Sequence, residues 1–428
     1  MTDRTRMQTF FPFGVRASLA TVMANVRLYG WTATATKVVK RLGVSNHFYG
    51  EYIQGLKRQG IDAVDKSSLV FDTPRIFIVG ALDLPQCKKY RVLQKIDYFE
   101  SIGWSCGYAH YLDDSRVVSN LQISTSVIFY RVPAVSLMSD YINEAKRLGV
   151  KTFYDIDDPI FNKGVYSENP NLKHLDSNER EHLLNDVARY RDAMTKVDAI
   201  LLSTNYLKAL TAIEFDKPTF LWRNLADSAT LSMVNSCRRS RDDRHTKSIV
   251  IGYASGSRAH DEDFNVVSAA LCSILSRNEN VSLRVLGHVT IPHELLAFKH
   301  RIESQPFSGY LQYLQILSQT DLNIVPLTKD RFNECKSAIR YIEASLCEVA
   351  TIASAVGQFS EIIVDGEDGF LADSTEEWES KLQALVDDRD MRSELAANSR
   401  EKVMLQHTIT AEGAVEQETV AQFLVSLE

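Results

Sequence analysis

Cysteine is scarce and scattered in this chain: six residues, at 87, 106, 237, 272, 335 and 347, with no Cys-x-x-Cys pair. The pattern suggests neither a zinc site nor a disulfide framework and fits reduced thiols in a cytoplasm. No apolar run approaches the length needed to cross a bilayer. Residues Met1 to Phe13 lack a continuous apolar core ahead of a small-residue cleavage site, so no secretory leader is read and a cytoplasmic location is expected. Gly-x-Gly-x-x-Gly and Walker sequences are both missing, which takes support away from nicotinamide cofactors and P-loop chemistry. His293-Glu294-Leu295-Leu296-Ala297 opens like a zincin helix but places Ala where the second His is required. No Ser-His-Asp arrangement stands out, and no basic–aromatic pattern suggests nucleic acid.

What is present is an ordinary globular composition, 45% hydrophobic and 24% charged, over 428 residues, enough for two or three domains. The net charge of −7 is unevenly spread. Residues 1–60 carry nine Lys/Arg against Asp3 and Glu51, a local excess of +7 on an otherwise acidic body. Such a stretch, with Leu28, Tyr29, Trp31, Val38, Val39 and Leu42 as its apolar side, can lie on an anionic membrane face. It can equally be a helical extension packed on the body with its basic face solvated. From Arg75 onward apolar strands alternate with amphipathic helices. Strands are expected at 75–80, 104–109, 126–131, 151–156, 198–203 and 218–222, then, past a polar link around 236–244, at 248–253, 282–286, 321–327 and 349–353. Two rounds of alternation predict an α/β protein of two doubly wound, Rossmann-like domains with ligands at the carboxyl ends of the strands. The expected boundaries are a basic helical extension over 1–70, an acceptor-side domain over 71–228, a linker over 229–247, a nucleotide-sugar domain over 248–408 and a C-terminal helix over 409–428 packing back on the first domain.

Two segments point to an anionic, hydroxyl-rich ligand. Phe332-Asn333-Glu334-Cys335-Lys336-Ser337 follows an apolar strand and is read as opening a helix that reaches Glu343. Free amides at a helix start attract phosphate. Lys336 there opposes the helix dipole and is better explained by a bound anion than by helix stability; Glu343, two turns on, can accept hydrogen bonds from sugar hydroxyls. The strand ending at Tyr253 runs into Ser255-Gly256-Ser257-Arg258, small residues that let amides approach a phosphate, with Arg258 or His260 adding charge. Together they suggest a nucleotide-sugar site.

Asp321-Leu322-Asn323-Ile324-Val325-Pro326-Leu327, the Phe332–Ser337 segment, Tyr341-x-Glu343-Ala344 and Asp365-Gly366-x-x-Gly369-Phe370-Leu371 resemble the C-terminal half of group 1 glycosyltransferases. These are retaining enzymes of the GT-B fold in family four, common in bacterial surface-polysaccharide assembly. The resemblance covers roughly Ser248 to Gln406 and extends weakly to Cys87–Val92, Tyr154–Asp158 and Arg223-Asn224-x-x-Asp227. It implies a metal-independent transfer from a nucleotide-diphosphate sugar, with no cofactor, to a saccharide or lipid-linked acceptor at the cytoplasmic membrane face. It implies a ribose contact for Glu343. The family's earlier glutamate falls on Cys335, with Glu334 adjacent and out of register, and the family's arginine after the first strand of this half falls on Tyr253. Lys336, Arg258 and the Ser255–Ser257 turn, with Cys335 and Ser337, are then the donor-side residues. On the acceptor side Asp157, with Asp158 second, would orient or deprotonate a hydroxyl, and Tyr90, Arg91 and Arg131 would bind the acceptor or its phosphate-bearing lipid. Three alternatives stay open: a GT-B epimerase acting on the nucleotide sugar, a non-catalytic partner subunit that kept the fold, and a manganese enzyme using Asp155 and Asp157.

Overall fold

The computed structural model describes residues 73–238, 248–255, 260–287, 289–306, 308–409 and 417–427. The basic extension of residues 1–60 lies outside them, as do Gly256, Ser257 and Arg258.

Apolar runs rich in Ile, Val and Phe form strands buried on both faces, as all-parallel sheets require. The first sheet is built from β1 (Arg75–Gly80), β2 (Ser105–His110), β3 (Ser126–Tyr130), β4 (Lys151–Ile156), β5 (Ala199–Leu202) and β6 (Thr219–Leu221), ordered β2-β1-β3-β4-β5-β6. The second holds β7 (Ile249–Ser255), β8 (Val281–Gly287), β9 (Ile302–Gln305), β10 (Leu322–Val325), β11 (Ala350–Ser354) and β12 (Phe370–Ala372), ordered β12-β11-β10-β7-β8-β9. Every pairing is parallel. All ten expected strands are found, within two residues at most ends. The unexpected ones, β9 and β12, are edge strands. β9 reads Ile-Glu-Ser-Gln, and its two central residues are exposed; β12 has only three residues.

Helices cover the faces where the sequence is amphipathic: Ser136–Arg147, Ser177–Lys196 capped by Asp176, and Asp261–Arg277. The segment after β1 opens with a short helix, Pro85–Lys88, and passes through a π-type turn, Lys89–Leu93, into the helix Gln94–Ser101. Part of the stretch read as linker is ordered as a helix, Ser228–Arg238, whose first turn is capped by Asp227 accepting from the Thr230 amide at 2.7 Å. The chain returns to the first lobe at its end. Ala226 pairs with Thr408, and the helix Gln417–Leu427 inserts Phe423 among Phe99, Phe153, Phe220 and Trp222.

The centre of the first lobe is polar. Asp155, on β4, is fully buried and receives Arg91 Nε and Nη2 on one oxygen and Lys95 Nζ on the other. Arg91 also donates to the Trp222 carbonyl and to Asn224 Oδ1. Asp155→Ala therefore leaves two buried cations without their counter-charge and should cost about 3–5 kcal/mol in stability. Urea unfolding followed by circular dichroism measures this; an unchanged midpoint would show that the triad carries no weight.

Candidate active site between the sheets

The carboxyl ends of the two sheets meet. β3 ends at Tyr130, and Arg131 turns out of it with φ +49°, a left-handed conformation that costs a residue with a side chain of order 1–3 kcal/mol. The turn aims the guanidinium at the end of β4. Arg131 Nη2 reaches Asp158 at 2.9 Å, and Nη1 lies 3.5 Å from Asp157 and 3.4 Å from the Cys87 sulfur. Tyr130 donates to Asp157 at 3.3 Å. From the second lobe, Lys336 Nζ reaches Asp158 at 2.8 Å. Arg131, Asp157, Asp158 and Lys336, predicted from separate parts of the chain, are thus brought together.

The charges are tuned by this geometry. Burial raises the Asp157 carboxyl above its ordinary range, and Arg131 only partly offsets it. Asp158 is partly desolvated as well, but Lys336 and Arg131 together hold it below that range. Burial would lower the Lys336 ammonium; the attraction of Asp158 outweighs it and the net shift is upward. The result is one firmly ionised pair that bridges the lobes and one carboxyl, Asp157, poised closer to neutrality.

The Lys336 segment departs from expectation. A short helix, Arg331–Glu334, precedes it, and the helix carrying Glu343 starts only at Ile339, so Lys336 lies in the loop between them rather than in a first helical turn. Phe332 and Cys335 pin this loop to the other lobe: both join the first lobe's core cluster, and Phe332 packs on Tyr166 with ring centroids 5.7 Å apart. Cys335 is fully buried, donates to the Arg331 carbonyl, and its own carbonyl accepts from Thr204 at 3.2 Å. It is a packing residue and not a donor contact. Glu334 accepts from the Gly357 amide at 2.7 Å and is equally committed. Ser337 accepts from Asn224 at 2.9 Å, continuing the chain of bonds that starts at Arg91. Arg91, expected at the acceptor, is instead fully buried with all its contacts internal.

Glu343 does turn toward the first lobe, but it is sealed. Tyr90 donates to Oε1, Tyr313 donates to Oε2 at 2.9 Å, and Tyr310 stands 3.0 Å from the Tyr90 hydroxyl. Burial raises the Glu343 carboxyl above its ordinary value, and the tyrosine hydroxyls pull part of that shift back. A ribose hydroxyl reaching Glu343 must take the place of one of these tyrosines. Tyr90, expected to meet an acceptor, is therefore an inter-lobe hydrogen-bond donor whose own ionisation is strongly suppressed by burial and by Glu343. Tyr310 and Tyr313 went unread in the sequence, although two tyrosines three apart on one helix were the available signal.

Around β7, Ser255 is buried at the strand end. Gly287, at the end of β8, has φ +90°, and a side chain there would collide with the Ser255 carbonyl. His260 Nδ1 lies 2.9 Å from Asp263, whose other oxygen accepts from Thr328 and Asn333 and so ties this helix start to the loop after β10. Tyr253, at the family's arginine position, is wholly buried. Over its ring, 5.9 Å from the centroid, lies the guanidinium of Arg340, a residue the sequence reading passed over.

Comparison with known proteins adds three findings. Residues 267–414 match the family described as glycosyl transferase-like. No curated protein matches the chain. Among solved structures, HepE of Anabaena in complex with UDP and glucose is similar at TM-score 0.58 and 13% identity, covering 82% of this chain and 100% of its own. Sucrose-phosphate synthase of Thermosynechococcus elongatus matches at TM-score 0.58 and 12% identity over 83% of this chain and 100% of its own. A glycosyltransferase of Rickettsia africae does so at 0.58 and 11% over 83% and 99%.

The Tyr90–Glu343 contact is testable on its own. Tyr90→Phe removes a donor from a buried carboxylate and should destabilise by about 1–3 kcal/mol; in a Glu343→Gln background the loss should be clearly smaller, read as a coupling energy in denaturant unfolding. Equal losses in both backgrounds would refute the contact. With both sheets in place, the chain has the two-sheet architecture of these GT-B structures, and its residues 267–414 are similar to the glycosyl transferase-like family.

Proposed function

We propose that this chain is a retaining, metal-independent glycosyltransferase. It moves a sugar from a nucleotide-diphosphate sugar to a saccharide or lipid-linked acceptor in surface-polysaccharide synthesis. The observation that carries the reading is the meeting of Lys336, from the second lobe, with Arg131, Asp157 and Asp158, from the first. A group placed there touches a cation from one side and a base from the other. That HepE was solved with UDP and glucose, and separately with UDP-glucose, supports a nucleoside-diphosphate donor on this fold.

In the proposed reaction the bond between the anomeric carbon and the diphosphate oxygen breaks. The departing oxygens gain negative charge, and Lys336 exchanges Asp158 for them. Fixed charge of this kind acts without reorganisation at the moment of reaction. The acceptor hydroxyl attacks from the face the diphosphate leaves, so configuration is kept, and its proton passes to Asp157. Holding both substrates between two sheets supplies the remaining advantage of proximity. The manganese alternative is disfavoured by geometry: both Asp155 oxygens are occupied by Arg91 and Lys95. Among the described residues no helix is long and apolar enough to cross a membrane; residues 1–60 are the proposed contact with a cytoplasmic membrane face.

The expected outcome across a panel of nucleotide sugars is transfer to an acceptor that survives EDTA. Lys336→Ala should lower kcat by about 100-fold or more with folding intact. Asp157 must be ionised to accept a proton, so activity should fall as pH drops through a value above the usual carboxylate range. That acid limb should vanish in Asp157→Asn along with most activity. Turnover of donor without acceptor would indicate an epimerase, and a Lys336→Ala variant as active as wild type would sink the reading.

A further inference from the structure

The chain passes from the first lobe to the second through residues 223–225: Trp222 belongs to the aromatic core of the first lobe and Ala226 to the core of the second. Gln94 fixes the place of this crossing, donating to the Leu225 carbonyl and accepting from the Leu225 amide at 3.1 Å. Asn224, buried beside it, uses both ends of its side-chain amide. A guanidinium can only donate, so the atom facing Arg91 Nη1 at 3.0 Å is Oδ1. Nδ2 then faces Ser337 Oγ at 2.9 Å, and the serine must accept. Among the described residues this is the one side-chain hydrogen bond that Ser337 makes. The bonds form a closed circuit. It leaves β4 at Asp155, runs through Arg91, Asn224 and Ser337 to Lys336, and returns at Asp158, just past the end of the same strand. Its two sides differ in kind. The Lys336–Asp158 pair is partly exposed and exchangeable, whereas Asn224 is buried and has no water to trade its partners for.

We propose that Asn224 is a positioning residue for the transfer reaction, holding the Lys336 ammonium at the cleft through Ser337 and setting its place from the segment that joins the lobes. The inference rests on the role given to Lys336 above and adds what keeps that side chain in place once Asp158 lets it go. Phe332 and Cys335 on one side of Lys336, and Ala338 on the other, are anchored by packing and by backbone bonds to Thr204 and Gln358. The Asn224 bond acts on the residue joined directly to Lys336. An aspartate at 224 would keep the tie, accepting from Arg91 and from a reoriented Ser337 hydroxyl, and its charge would meet the excess cation of the Arg91–Lys95–Asp155 cluster.

The test uses the full chain and two readouts. The first is the rate at which acetic anhydride labels Lys336, read by mass spectrometry against the exposed Lys329 as internal standard. Asn224→Ala should raise the Lys336 rate severalfold and leave Lys329 unchanged, because a loosened loop frees the ammonium from Asp158. The second is kinetics with a nucleotide sugar that wild type turns over. Asn224→Ala should lower kcat by roughly 10- to 100-fold with the donor KM within about twofold, as expected when a group acting in the transition state is displaced by about 1 Å. Ser337→Ala should match it, the double variant should be no worse than either single one, and the loss should vanish in a Lys336→Ala background. Asn224→Asp should restore most of the rate. Labelling or kcat at the wild-type level in Asn224→Ala would overturn the assignment, as would a loss undiminished in the Lys336→Ala background, the mark of general damage. Should Asn224→Ala not fold, Ser337→Ala on the other lobe decides by the same criteria. If wild type turns over no nucleotide sugar, the transfer reading fails, and the labelling alone decides whether Asn224 holds the ammonium.

Discussion

One buried carboxylate, Asp155, organises this molecule. Two cations from a single turn of chain, Arg91 and Lys95, close on its two oxygens at the middle of the first lobe. The cost of taking three charges out of water is offset only because the geometry is complete. Lys95 shows the strain of the arrangement: burial and the nearby Arg91 push its ammonium down to about 8 despite Asp155. What the cluster fixes is position. It pins the end of β4, from which Asp157 and Asp158 project, and it passes through Arg91 and Asn224 to Ser337 of the other lobe. The candidate active site is built on top of this buried knot.

Charges at the surface of the cleft play a different part. Lys336, Asp158 and Arg131 are partly exposed, at 24%, 19% and 15%, so water screens them and the bridge is exchangeable. A bridge that is fully buried resists rearrangement; one at a cleft mouth can trade a carboxylate for a phosphate. The distinction separates Asp155 from Asp157 and Asp158, although the three stand within four residues of one another.

The alternation of strands and helices carried the architecture, because parallel sheets buried on both faces need continuous apolar runs that stand out in any sequence. The edge strands β9 and β12 did not stand out, since an edge can be short or polar. At the site, Asp157, Asp158 and Arg131 were legible as strand-end residues, whereas Lys336 was expected in a first helical turn and its pairing with Asp158 was not foreseen. Nor were the fates of Arg91 and Cys335. A cation in a basic turn reads as a surface residue until its buried partner is known, and only the three-dimensional contact with Asp155 reveals it. Cys335 at a glutamate position invited a chemical reading, yet its full burial in the first lobe's core shows that it fills space.

The anchoring of Phe332 and Cys335 in the opposite lobe has a mechanical consequence. In a two-lobed enzyme, substrates enter when the lobes swing apart, and each lobe normally carries its own half of the site. Here the loop bearing the ammonium at position 336 is held by its aromatic neighbour to the opposite lobe. Parting the lobes must either peel that ring out of its socket or stretch the loop away from its own helix. On the proposed function, admission of a sugar donor would be geared to the release of this hydrophobic plug, with the ammonium at 336 paired to Asp158 until then.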